Sequence, residues 1–309
     1  MTDENVANQE YGQWLDELTE RKRFGEGDRV GTANLIDRAA RARAAGALVD
    51  GHCVSLARPI PTGDGTGVHI DASHFQMPSF GTLPPFARPL DTGADSTRIE
   101  AHGVNYTHLD ALNHMGRDGK WYGGHMTDTP SSPDISDLAN HLLFTRGVVA
   151  DIPAARGAQW VDVTDPVTAE DIDRALLKQG AVFEPGDALL LYMGRDRYEA
   201  AGGTIDLAAT AGGTPANGAG AGVARWIVEH DVSILAWDFL DAFPPDHKQP
   251  IFPVHLLIPA IGLLLVDNCH LGPAAEQVRQ THRSTGALIV APPAIPGTTG
   301  ALVQPLFIQ

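Results

Sequence analysis

The chain has 309 residues, 43% of them hydrophobic, and 22 Lys and Arg against 38 Asp and Glu, for a formal net charge of -16. That balance argues against nucleic acid or an anionic membrane as partner, since either needs a basic face to neutralise phosphate. The N-terminus is acidic and polar, no apolar run is long enough to span a bilayer, and the two Cys form no evident disulfide framework. A cytoplasmic protein without a signal peptide, acting on a small molecule, is the expectation.

In chain order, residues 11–18 are amphipathic at helical spacing and 39–48 offer a second helix. Together they suggest a helical N-terminal arm over residues 1–50, of the kind that packs on a partner subunit, ahead of a single domain over 51–309. His69 and His74 lie between a Gly-rich turn and a Pro-rich stretch, which reads as surface loop. Residues 99–108 read as a strand entering a loop. Short aliphatic runs at 147–152, 188–192, 233–237, 263–266 and 287–291 read as buried strands. Residues 168–180, with Thr168 as cap and Glu170 and Asp171 in the first turn, and residues 222–230 read as helices. The stretch 200–222, rich in Gly, Ala and Thr, reads as an insertion or flexible loop. Strands and helices thus mix along the whole chain, which predicts an α/β fold with a central mixed sheet and flanking helices.

The chemistry concentrates in Thr107-His108-Leu109-Asp110-Ala111-Leu112-Asn113-His114. In an extended segment His108 and Asp110 project to one face and can grip one ion together. A turn after Asp110 brings His114 back toward it. Far downstream, His255 and Asp267 bracket an apolar stretch, placing two more donors where the core opens. Imidazole nitrogen and carboxylate oxygen suit Zn²⁺ or Mn²⁺. The predicted ligands are therefore His108, Asp110, His255 and Asp267, with His114 as general base and then acid. His102 and Tyr106 are candidates for metal or substrate contact, and Trp121 and Tyr122 for a flat wall of the substrate pocket. Asp238, Asp241, Asp246 and His247 read as a polar loop beside the pocket. Cys53 and Cys269 show no metal or nucleophile pattern.

These blocks resemble the cyclase-like metal-dependent hydrolases, which include bacterial kynurenine formamidase, isatin hydrolase and trans-dienelactone hydrolase. The family signature is H-x-G-T-H-x-D-x-P-x-H, followed far downstream by His and, twelve positions later, Glu. Thr107, His108, Asp110 and His114 stand at signature positions, and His255 with Asp267 keeps the downstream spacing. Val104 replaces the first His, Tyr106 the Gly, Leu112 the Pro, and Asp267 the Glu. Loss of the first His favours one metal over two, and His102 reaches the site only if the backbone departs from a regular strand. The resemblance implies a sheet-based fold, a divalent metal, a homodimer or homotetramer, and a cyclic or aromatic small-molecule substrate. It implies hydrolysis of an amide, lactone or lactam. Ring closure of the cyclase type, or a degenerate relative that binds a small molecule or metal without turnover, stay open as alternatives.

Overall fold

The computed structural model describes residues 3–61, 68–77, 90–128, 132–206, 210, 214–243 and 250–309. The strands are β1 (Cys53–Ser55), β2 (Val68–Met77), β3 (Leu90–Ile99), β4 (His108–Asp110), β5 (Leu143–Asp151), β6 (Ala188–Tyr192) and β7 (Gly218–Ala219). They continue with β8 (Ile234–Trp237), β9 (Leu240–Asp241), β10 (Leu264–Asp267), β11 (Thr285–Val290), β12 (Gly300–Leu302) and β13 (Leu306–Ile308). Nine of them form one mixed sheet in the order β1-β13-β11-β5-β6-β8-β10-β4-β12. Its centre, β5, β6, β8 and β10, is parallel. Every residue of β6, β8 and β10 is buried. A parallel strand covered on both faces requires this, and it explains why these stretches are unbroken apolar runs. The α/β fold with a central mixed sheet is as expected.

The helices pack on this sheet. Arg38–Gly46 lies on β5 and β11, and Gly272–Thr281 on β5 and β1. Ala169–Gln179 starts at a capping box between Thr168 and Asp171 and stops at Gly180, whose φ of +63° is left-handed. Its buried Ile172, Ala175 and Leu176 follow helical spacing. Asp171 is itself buried. Burial pushes its carboxyl up, but Arg156 outweighs this, with Nε donating to Oδ1 at 3.0 Å, and holds it below the usual carboxylate range. A depressed folded value stabilises above the unfolded pKa of about 3.9 and is lost as pH falls through the folded value. Arg156→Met is therefore expected to cost about 2 kcal/mol at neutral pH. Urea titrations at pH 7 and pH 3 should show the gap to wild type closing in acid.

The sheet is strongly curled. β12 pairs with β4 at one edge, while β13 sits between β1 and β11 near the other. Only residues 303–305 join β12 to β13, and four Cα steps reach at most about 14 Å. The two edges must therefore lie close, and Leu56 N–H donates to Pro305 O at 2.9 Å where they approach. The site lies at the carboxyl ends of β8 and β10, beside this near-closure.

The N-terminal helix Asp3–Glu20 buries Tyr11, Leu15 and Leu18 in the chain's own core. Tyr11 OH donates to Pro253 O at 2.7 Å, and Asp16 meets Arg117 at 2.8 Å. This helix thus docks on its own chain. The segment holding His69 and His74 is also different from expectation. It is strand β2, paired antiparallel with β3 over its full length, Val68 opposite Ile99 and Met77 opposite Leu90. Within the stretch expected to be a flexible loop, β7 pairs in parallel with β9. Gly218 is required there, because a Cβ would lie 2.1 Å from Leu240 O.

Candidate metal centre

His108 and Asp110 project from the same side of β4, two residues apart, and His108 Nε2 lies 3.4 Å from Asp110 Oδ1. β4 runs antiparallel to β10 with His108 directly opposite Asp267, so the register itself brings the late carboxylate to the early imidazole. His108 Nε2 is 4.0 Å from Asp267 Oδ2. His255 enters just before the helix Leu257–Ile261. Its Nε2 lies 3.1 Å from Asp267 Oδ2 and 3.9 Å from Asp110 Oδ2. The four expected ligands therefore converge.

His114 and His102 join them. The chain turns after β4, with His114 N–H donating to Ala111 O, and His114 Nε2 comes within 3.8 Å of Asp110 Oδ2. Residues 101–107 are not a regular strand, so His102 swings in until its Nδ1 is 3.2 Å from Asp110 Oδ1. Room for its ring comes from Gly300, which faces Asp110 in β12. A Cβ there would stand 2.8 Å from His102 Cε1. Thr299 Oγ1 holds His102 Nε2 at 2.8 Å, and the His102 and His114 rings stack at 3.9 Å.

The orienting partners were not legible in the sequence. His108 Nδ1 donates to Tyr106 O at 2.9 Å, His255 Nδ1 donates to Asp241 Oδ2, and Trp237 Nε1 donates to Asp267 Oδ1 at 2.5 Å. Each bond leaves the other nitrogen or oxygen facing the centre, the arrangement that fixes tautomer and orientation in metal sites. Asp241 was expected only as part of a loop beside the pocket. Asp238 is structural, accepting N–H from Met193, Gly194, Arg195 and Phe239. Asp246 and His247 lie outside the described residues.

Two expectations need correction. Trp121 and Tyr122 do not line this cavity. Paired hydrogen bonds between Arg117 and Lys120 turn the chain away, and Tyr122 OH donates to Asp28 Oδ2 at 2.8 Å. Tyr106 contributes its carbonyl, while its buried ring does not line the cavity.

The donor set fits a divalent ion. Asp110 is 1% exposed, yet among the described residues neither of its carboxylate oxygens, nor the buried His102 Nδ1, meets a partner in good hydrogen-bond geometry, although imidazole nitrogens crowd the carboxylate at 3.2 to 3.9 Å. An unpaired buried carboxylate is costly, and an ion would satisfy it. Two groups of donors, His102-His108-Asp110 and Asp110-His255-Asp267, each lie within 4.8 Å and share Asp110. Ligand atoms of a tetrahedral ion at 2.0–2.1 Å stand about 3.4 Å apart, and the separations here run from 3.1 to 4.0 Å. Burial opposes charge on His108, but Asp110 and Asp267 push its imidazole up to about 9. His255 rises too, as Asp267 and Asp241 outweigh burial, and Asp110 falls because His102 and His108 outweigh its burial. Burial lowers His114, with Asp110 opposing.

Asp241→Asn tests the orienting shell. An amide nitrogen facing His255 Nδ1 would favour the tautomer with Nε2 protonated, blocking that ligand. Metal affinity, read by chelator competition, is expected to fall about 100-fold with the fold retained by circular dichroism.

A buried cluster of His and Asp at the mouth of a curled mixed sheet defines an α/β protein with a candidate metal site. The Cyclase family model, described as "Putative cyclase", matches residues 54–242. This is more than half of the chain, and the protein belongs to that family. A crystal structure described as a novel cyclase aligns at a TM-score of 0.77 and 24% identity, covering 96% of this chain and 99% of that one. Isatin hydrolase A from Ralstonia solanacearum aligns at 0.53 and 16%, covering 88% and 96%. An isatin hydrolase bound to the product analogue thioisatinate aligns at 0.50 and 15%, covering 85% and 92%. At these identities the likeness is one of fold. No curated protein matches the chain significantly. Among the described residues no helix is long and apolar enough to cross a membrane.

Proposed function

We propose that this chain is a metal-dependent hydrolase that opens a cyclic amide, a lactone or a related C–N or C–O bond. The observation that carries the reading is Asp110, a fully buried carboxylate with both oxygens unsatisfied amid four imidazoles. His108, Asp110, His255 and Asp267 are the ligands, with His102 at the edge of the shell. A divalent ion held by them, Zn²⁺ or Mn²⁺ by donor type, would polarise a carbonyl and bring the pKa of water toward about 7.

His114 is the proton carrier. Its side chain is 25% exposed while His108 and Asp110 are almost wholly enclosed, so it stands between the donors and the solvent. Burial keeps its imidazole below the ordinary value, and therefore neutral near pH 7 and able to accept a proton. The same ring then hands that proton to the leaving nitrogen or oxygen. The substrate sits against Met115, Leu240 and Phe252, the apolar side of the cavity. The isatin hydrolases of the same fold lend support to the reaction class.

The test is elemental analysis followed by a panel of lactones and lactams, with and without chelation. One ion per chain and ring opening lost on chelation are expected. Bound metal with no turnover on any member would leave a metal-binding relative, and absence of metal affinity would remove the reading.

A further inference from the structure

Phe252 has a φ of +53°. Left-handed backbone is disfavoured for any bulky side chain, and Phe252 also precedes Pro253, which drives the preceding residue toward extended conformations. The turn is fastened all round. Leu256 N–H donates to Phe252 O at 3.0 Å, Tyr11 OH to Pro253 O at 2.7 Å, and Val254 N–H to Asp241 Oδ1 at 2.6 Å. These bonds place His255, but they are backbone or neighbouring contacts and need no aromatic at 252. A glycine would adopt the same turn with less strain, since it has no Cβ to clash with the left-handed backbone or with Pro253 Cδ. What Phe adds is its ring, which lines the metal-site cavity and meets the His255 ring edge-on at 5.8 Å between centroids.

The cavity beside the donors is about 120 Å³, and its non-donor lining is Gly103 and the apolar side chains of Met115, Leu240 and Phe252. An enclosed apolar cavity of about 150 Å³ holds one benzene, so this space, open to solvent on one side, is on the scale of a single ring. Backbone strain that persists at a site wall is explained when the side chain it presents is used.

We propose that Phe252 is a specificity-determining residue, held in a strained turn so that its ring forms the wall against which one planar ring of the substrate stacks. This rests on the hydrolase reading for the identity of the reaction, though not for the existence of the wall.

The experiment compares wild type with Phe252→Gly, Phe252→Ala and Phe252→Tyr, all metal-loaded. Benzoate and acetate binding is measured by calorimetry, turnover with dihydrocoumarin and γ-butyrolactone, and Tm by scanning calorimetry. Both truncations remove the ring, so both should lose about 10-fold or more in benzoate affinity and in kcat/KM for dihydrocoumarin. Acetate and γ-butyrolactone should change less than about 3-fold, metal content should hold, and Phe252→Tyr should restore the preference. Gly normally destabilises relative to Ala, but here Phe252→Gly should melt above Phe252→Ala. The proposal is overturned if wild type shows no preference for benzoate over acetate, if both ligands weaken equally, or if the Ala variant melts higher. If no lactone is opened but the benzoate preference disappears in the truncations, the hydrolase reading fails and the wall stands.

Discussion

Asp110→Asn is expected to leave a folded protein that holds no metal and has lost about 10³-fold or more in turnover. The side chain is isosteric, so packing against β10 and β12 is undisturbed and circular dichroism should match wild type. What changes is charge and donor type. The carboxylate is the one group that both donor triplets share, with Oδ1 facing His102 and His108 and Oδ2 facing His114 and His255. An amide turns one of those faces into a donor against imidazole and removes the negative charge an ion requires. His108→Ala should lose metal as well. His230→Ala provides the contrast, because that ring stacks on Trp226 at 4.0 Å with Nδ1 on Trp226 O, and should keep full metal. Plasma emission analysis of the four proteins decides the matter, and stoichiometric metal in Asp110→Asn would mean the site is elsewhere.

The part of the centre that could be read from sequence is the part governed by local geometry. His108 and Asp110 share a face because strand side chains alternate, and His114 follows through a turn. His255 and Asp267 belong together because the apolar stretch between them contains a buried helix and a buried strand, leaving its polar ends at the opening. The central strands were equally legible, since burial on both faces leaves unbroken aliphatic runs. The bond from Trp237 to Asp267 joins residues with no periodic relation, as does that from His255 to Asp241. His102 depends on a missing side chain at Gly300, on an edge strand near the other end of the chain. Trp121 was misplaced for the opposite reason. It is close to His114 in sequence, but the Arg117–Lys120 turn lays its ring over Gly116, whose Cβ would sit 2.9 Å away. Proximity along the chain was taken for proximity in space.

Holding an ion and moving a proton are different tasks, and the second separates His114 from its neighbours. His114→Ala is expected to retain stoichiometric metal and lose 10²–10⁴-fold in kcat, or about 3–5 kcal/mol of barrier at 1.36 kcal/mol per decade. Metal should be kept because the two donor groups are complete without it. KM should change little, since the apolar wall lies with Met115, Leu240 and Phe252. The ring stacks on His102 and is partly open to solvent, so its removal leaves a slot that imidazole from solution can enter. Added imidazole should therefore raise the rate of His114→Ala and leave wild type and Asp110→Asn unaffected. His114→Gln, which fills the slot and cannot carry a proton at neutral pH, should be as slow as the Ala variant and resist rescue. Loss of metal in both His114 variants would make the residue a ligand instead. An unchanged kcat would pass the proton transfer to water or to another group.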